Sequence, residues 1–297
     1  FVSIFIIFFI SQLSLKNLIY ISIGIFCFSI ILSISAIFLF PETKGANRWI
    51  KFFGFSFQPS ELLKPSFIIL SAVLLGRYKL KNDYSLHINI IFLSFVSTLL
   101  ILQPDFGMFI LIFSAWLTQI CSSNIKMRII LPIIFVFLLV FIICFLSLEH
   151  VKFRIMNFLF SEVGDNYQIK LSLNSFESGG LFGKGMGEGI VAKGLPDVHS
   201  DFIFALIGEE LGGIFSVIII IMYLILFIRA HFISQRSNNF FIITSITGLA
   251  NILILQVMIN ISSTLNIIPQ YKISSCVADG SDSSRTLKAN ILLHVLL

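Results

Sequence analysis

Charge is what this sequence has least of. Only 12% of its 297 residues are Asp, Glu, Lys or Arg, against about a quarter in an average soluble domain. Apolar types make up 57%, with 34 phenylalanines, and the mean hydropathy is +1.00. So little polar surface cannot cover a soluble globule, and so much apolar surface is incompatible with an intrinsically disordered chain. Cysteine is also scarce. Cys27, Cys121, Cys144 and Cys276 are scattered and three of them sit in apolar runs, which points to packing residues and away from a disulfide framework or a ligand set. What remains is an integral membrane protein.

The apolar residues fall into eight blocks, near 1–13 (short), 18–40, 62–76, 88–102, 108–122, 129–148, 204–228 and 240–262. A spanning helix takes about 20 residues, whereas barrel strands take about ten with strict alternation. Runs such as Ile129–Leu148 do not alternate. The expected fold is therefore all-α, a polytopic membrane helical bundle of eight spans.

The loops divide by sign. Connections after the first, third, fifth and seventh spans hold Lys16, Arg77, Lys79, Lys81, Lys126, Arg128, Arg229 and Arg236 against one acid, Asp83. Short Lys/Arg-rich loops stay in the cytoplasm. The other connections then face outward, and they hold Glu42, Asp105, Glu149, Glu162, Asp165, Glu177, Glu188, Asp197 and Asp201. This alternation places Phe1 outside at the start of an inward-going span, and the expectation is that an earlier helix precedes it. The connection over 149–203 is far longer than ordinary loops, and its glycines, aromatics and charges favour an ordered, functional segment.

A charge at the bilayer centre costs on the order of 2.5–3.5 kcal/mol, so charges near or within spans are site candidates. Glu61 and Lys64 share one helical face after Pro59. They suit either a local ion pair or the wall of a polar cavity open to the outer face. Asp105, in Gln103-Pro104-Asp105-Phe106-Gly107, suits a helix cap or the same cavity. Asp201 is the last polar residue before an apolar block, where partial desolvation favours a general base. Glu209 and Glu210 lie too deep for capping alone: either they face a wet interior, or the span starts after Gly212. His199, Ser200 and Asp201 are adjacent and cannot form a hydrolytic relay, and Asp197, His199 and Asp201 lack a recognised metal-ligand spacing. The run Gly179–Gly189 fits neither register of G-x-G-x-x-G nor a P-loop. Its backbone amides and Lys184 suit an anion such as a pyrophosphate, or simply a turn-rich loop.

These residues carry a resemblance. Gly45-Ala46-Asn47-Arg48-Trp49-Ile50, Gln58-Pro59-Ser60-Glu61-Leu62 with Lys64, Gln103–Gly107, Ser178-Gly179-Gly180-Leu181-Phe182-Gly183, His199-Ser200-Asp201-Phe202-Ile203-Phe204-Ala205 and Gly208-Glu209-Glu210-Leu211-Gly212 occur in order over about 40–265. The set resembles the shape, elongation, division and sporulation (SEDS) family. Gly185–Gly189 followed shortly by Leu195-Pro196-Asp197 is similar to its cell-division branch.

The resemblance implies a peptidoglycan glycosyltransferase that polymerises lipid II at the outer face of the bacterial cytoplasmic membrane, at the division septum. Asp201 would be the catalytic residue. Arg48, Glu61, Lys64, Asp105, Lys184 and His199 would bind substrate, and a divalent cation (Mg2+ or Mn2+) could assist the leaving pyrophosphate. No nucleotide is needed, because the substrate carries its own activated pyrophosphate, and no nucleic acid is expected. The implied partners are lipid II, the growing glycan strand, a class B penicillin-binding transpeptidase and other divisome membrane proteins. Two rival functions are a lipid II flippase and a non-catalytic scaffold recruiting the transpeptidase. The SEDS-type domain is assigned to 1–269, whereas 270–297 turns abruptly polar and departs from the family pattern, as a frameshift would produce.

Overall fold

The computed structural model describes residues 2–40, 48–52, 55–79, 84–103, 105–123, 125, 127–147, 167–195 and 202–265. Helices dominate: α1 Val2–Ser11, α2 Leu15–Leu39, α3 Ser60–Lys79, α4 Tyr84–Leu102, α5 Phe106–Ser122, α6 Met127–Ser147, α7 Tyr167–Gly179, α8 Ile203–Glu210, α9 Gly212–Arg236 and α10 Phe240–Thr264. Among the described residues, Leu15–Leu39, Tyr84–Leu102, Gly212–Arg236 and Phe240–Ser262 are long and apolar enough to cross a membrane, and Gly107–Ser122 is a shorter apolar helix. The helical reading holds with one addition, an antiparallel hairpin of β1 Ile50–Phe52 and β2 Phe55–Phe57, with Ile50 opposite Phe57. One block needs correction. The span expected over 204–228 is two helices, α8 and α9, broken at Leu211-Gly212. The tail at 270–297 lies outside the described residues.

The chain forms two compact units. One comprises Phe1–Asp105, Ile112–Ile125 and Ile233–Leu249; the other comprises Phe106–Leu111, Lys126–Phe232 and Ala250–Leu297. In the first, α2 buries Ser22, Phe26, Ser29, Ser33 and Ala36, a stripe alternating four and three residues apart that faces one side of a helix. Lipid tails are as apolar as leucine, so burial of apolar surface does not drive helices together in a bilayer. Small residues that admit close backbones and hydrogen bonds between helices take over that task. α2 packs on α3, and both contact α4. Phe92 lies between Phe26 and Phe67, with ring centroids 4.5 and 5.2 Å away.

Buried amides tie the same unit together. Asn89 Nδ2 donates to the carbonyl and to Oγ of Ser71, both at 3.0 Å, and its Oδ1 accepts from Trp116 Nε1. One side chain thus joins α3, α4 and α5. Gln119 Nε2 donates to the Ile68 carbonyl (2.9 Å) and the Thr244 carbonyl (3.1 Å), linking α5 to α3 and α10. Hydrocarbon would leave the Asn89 and Gln119 amide donors and Trp116 Nε1 without partners, and these bonds supply them.

The Asn89→Ala variant should lose on the order of 1 kcal/mol, within the range measured for interhelical polar contacts in membranes. Ile91→Ala, at a largely exposed position of the same helix, should change stability far less. Unfolding in mixed detergent–SDS micelles checks both.

Candidate functional site

The break between α8 and α9 organises the second unit. A helix ends with carbonyls that lack intrahelical donors and begins with amides that lack acceptors. Breaking a helix beside a membrane span therefore exposes both kinds of group. The glycine-rich segment after α7 meets both. Lys184 N donates to the Glu209 carbonyl (3.0 Å) and Gly185 N to the Glu210 carbonyl (2.9 Å), completing the end of α8. The Gly180 and Leu181 carbonyls accept from Gly213 N (2.9 Å) and Ile214 N (3.2 Å), completing the start of α9. The segment is a splint across the break.

Glycine is required where splint and break meet. Gly183 has φ +78° and Gly212 φ +84°, the left-handed region that residues with a Cβ rarely adopt. A Cβ on Gly183 would collide with the Glu210 carbonyl, and one on Gly212 with the Gly183 amide nitrogen. The glycines that tempt a phosphate-binding reading thus have a packing reason of their own.

Glu209 fastens the splint from inside. Its side chain is fully buried. Oε1 accepts from Ser178 Oγ (3.2 Å), Lys184 Nζ (3.1 Å), Ile190 N (3.1 Å) and Val191 N (3.1 Å), and Oε2 from Ala192 N (2.6 Å). Burial alone would push this carboxyl up. The amides of Ala192 and Val191, the Lys184 ammonium and the Ile190 amide outweigh burial and lower its pKa from 4.5 to about 2. Glu209 is therefore an anion at neutral pH with its oxygens occupied by donors, a positioning group and not a free base.

Its effect reaches the segment that carries the sequence candidates. Ala192 begins a 3-10 turn, Ala192–Gly194, that leads to Leu195; Phe202 precedes α8, whose far end carries Glu209. Leu195 and Phe202 are buried in one apolar cluster with Ala192 and Ala205, packed by Leu171, Phe176 and Leu206. Glu209 therefore holds both flanks of residues 196–201. Asp197, His199 and Asp201 themselves lie outside the described residues.

The first unit carries its own charged cluster. Asp105 is fully buried, with Arg48 Nη1 at 3.4 Å from Oδ1 and Gln58 Nε2 donating to Oδ2 at 2.8 Å. Gln58 also donates to Ser60 Oγ (2.9 Å), and Gln103 Nε2 donates to the Ser33 carbonyl (3.0 Å), joining the end of α4 to α2. Arg48 Nε is buried without a hydrogen-bond partner among the described residues. Lys64, nearly fully buried, pairs with Glu61 at 2.9 Å, and Glu61 is about half exposed.

The structure thus joins Arg48 to Asp105, Glu61 to Lys64, and Lys184 to Glu209. Of the two readings of Glu209 and Glu210, the later span start is the one observed. The role of Glu209 escaped the sequence, which shows a carboxylate among apolar residues but not the amides that meet it. The flanking Gly208, Gly212 and Gly213 were the available signal of a break. Among the described residues no three His, Cys, Asp or Glu side chains gather into a metal site.

Comparison with known proteins gives a consistent picture. A family model described as "Cell cycle protein" (FtsW/RodA/SpoVE) matches residues 1–274. The chain is 31% identical over 261 residues to the "Probable peptidoglycan glycosyltransferase FtsW" of Caulobacter vibrioides, covering 87% of this chain and 67% of the relative. It is 36% identical over 247 residues to the protein of the same name in Borreliella burgdorferi, covering 80% and 67%. Among solved structures it is similar to a chain of a peptidoglycan synthase complex, with TM-score 0.69, 21% identity, and 88% and 75% of the two chains covered. It is also similar to the rod shape determining protein RodA of Thermus thermophilus, with TM-score 0.56, 23% identity and 87% and 71% covered.

Glu209→Gln brings an NH2 group among backbone donors and leaves Lys184 without its anion. The amides of Ile190, Val191 and Ala192 should then exchange at least about tenfold faster, the effect of losing more than about 1.4 kcal/mol of local stability. Hydrogen–deuterium exchange measures this. With a folded pKa of about 2 against an ordinary 4.5, Glu209 contributes its stabilisation fully above 4.5 and loses it as pH falls through about 2. Protection of these amides, corrected for intrinsic exchange, should be flat from pH 8 to about 5 and decline below the ordinary carboxylate pKa.

Proposed function

The chain belongs to the FtsW/RodA/SpoVE family of cell cycle proteins, and from that membership we propose that it is a peptidoglycan glycosyltransferase that polymerises lipid II. It is a multi-pass membrane protein with the fold of the SEDS synthases. The observation that carries the enzymatic reading is the Glu209 clamp, which fixes both flanks of the segment holding His199 and Asp201.

In this reading Asp201 takes the proton from the 4-hydroxyl of the acceptor N-acetylglucosamine. The oxygen attacks the anomeric carbon of the growing chain from the face opposite the leaving group. The bond to the pyrophosphate breaks as the new glycosidic bond forms, with inversion, and undecaprenyl pyrophosphate departs. Asp201 leaves the step protonated and passes its proton to solvent. The departing pyrophosphate concentrates negative charge. The family resemblance nominates Arg48 and Lys64, whose side chains carry positive charge, as the groups that would offset it. Asp105 orients Arg48 from behind. Mg2+ or Mn2+, if bound, would supply counter-charge to the departing pyrophosphate, and Glu209, whose oxygens accept from five protein donors, is not among the groups that would hold it.

The loop charges support a site on the outer face of the cytoplasmic membrane, and the similarity to proteins named FtsW supports action at the division septum. A class B penicillin-binding transpeptidase is the proposed partner, supported by the likeness to a chain from a synthase complex that couples polymerisation and crosslinking.

The deciding measurement uses the purified chain, fluorescent lipid II and Mg2+, with glycan products separated by gel. The parent should make polymer, and Asp201→Ala should reduce the rate by at least about 10²-fold, the usual contribution of a general base. Translocation of lipid II without polymer would point to a flippase. Neither activity, with transpeptidase binding retained, would point to a scaffold.

A further inference from the structure

The splint has an outer surface that its hydrogen bonding does not explain. Leu181, Phe182, Met186 and Ile190 expose 67, 82, 81 and 76% of their surface. Single exposed apolar side chains are ordinary, but four large ones within ten residues of a loop are not. Their position is set by the backbone. The carbonyls of Gly180 and Leu181 accept from Gly213 and Ile214, so Leu181 and Phe182 lie level with the first turn of α9. That helix is 25 residues long and apolar enough to cross a membrane, and few of its residues are buried by protein. Its first turns present Ile214, Phe215, Val217 and Ile218, each exposed. The apolar surface therefore continues from a lipid-facing helix onto the loop. The end of a spanning helix lies at the boundary of hydrocarbon and headgroups, where exposed apolar side chains on a folded loop enter the acyl region.

We propose that Leu181, Phe182, Met186 and Ile190 form a lipid anchor, seated in the leaflet that receives the amino-terminal end of α9. The occupant of this surface is bilayer phospholipid. Water is disfavoured because it would face four large apolar side chains. Continuity with α9, an apolar helix that buries few of its residues against protein, argues for lipid over a protein partner. The anchor gives the splint a second task. Because the same loop backbone completes both sides of the helix break, seating its tip in lipid fixes the height of the break relative to the membrane. The proposal is independent of the polymerase reading: an inactive chain would anchor in the same way.

The test uses the full chain in vesicles of phosphatidylethanolamine and phosphatidylglycerol in which part of the lipid carries bromine at shallow acyl positions. Phe182→Trp and Met186→Trp each add a fluorophore, read as the difference from the parent with its native Trp49 and Trp116. Asn174→Trp, at an exposed position of α7, is the comparison. Brominated lipid should quench the added signal of Phe182→Trp and of Met186→Trp at least about twofold more than that of Asn174→Trp, as expected of interfacial insertion. Aqueous iodide should show the reverse order. If Phe182→Trp does not fold, Met186→Trp alone decides. Quenching by brominated lipid no greater than in Asn174→Trp overturns the proposal and leaves the patch to water or a protein partner.

Discussion

The glycine-rich segment and the carboxylate beneath it are arranged around one need, to satisfy backbone groups at a broken helix. α8 ends at Glu210 and α9 begins at Gly212, so donors and acceptors that a continuous helix would consume are released beside a membrane span. Hydrocarbon offers them nothing, and an unpaired backbone group there costs several kcal/mol. The glycine-rich segment supplies the missing partners to both sides, and only glycine fits where its backbone crosses that of the break. Glu209 then anchors the segment through three amides, a hydroxyl and an ammonium. A buried carboxylate is unfavourable alone and acceptable when its lone pairs are filled by donors, which is the condition met here.

The first unit applies the same constraint to side chains. Asp105, Asn89 and Gln119 are all fully buried, and each bridges elements distant in sequence. Asp105 meets Arg48 and Gln58, Asn89 meets Ser71 and Trp116, and Gln119 meets Ile68 and Thr244. In water such groups would gain little from meeting each other. In a bilayer they have few alternatives, so they specify which helices pack and in what register. Arg48 Nε, Gln103 Oε1 and Gln119 Oε1 are buried without a hydrogen-bond partner among the described residues.

The charged residues were legible in sequence because there are so few of them. Spacing puts Glu61 and Lys64 on one helical face, suiting an ion pair or a cavity wall, and the structure shows the ion pair. Asp105 reads as a cap or a cavity residue, yet its partners Arg48 and Gln58 lie 57 and 47 residues away. No local pattern encodes such a meeting. Glu209 shows the same gap more sharply. The sequence marks it as too deep for a cap, but its pKa of about 2 depends on amides of residues 190–192, which any side chain could carry. Backbone donors leave no trace in composition.

Residue order and composition alone establish the membrane class, the helical architecture, the sign of each loop and the ordered motifs of the family. These depend on composition and local periodicity, which the bilayer reads directly. Three further features emerge only when the chain is folded: 204–228 is two helices, the glycine run bridges them, and Glu209 holds the flanks of the Asp201 segment. The reason is physical: a helix breaks where another part of the chain can satisfy the groups the break exposes, and that other part lies some thirty residues earlier in sequence.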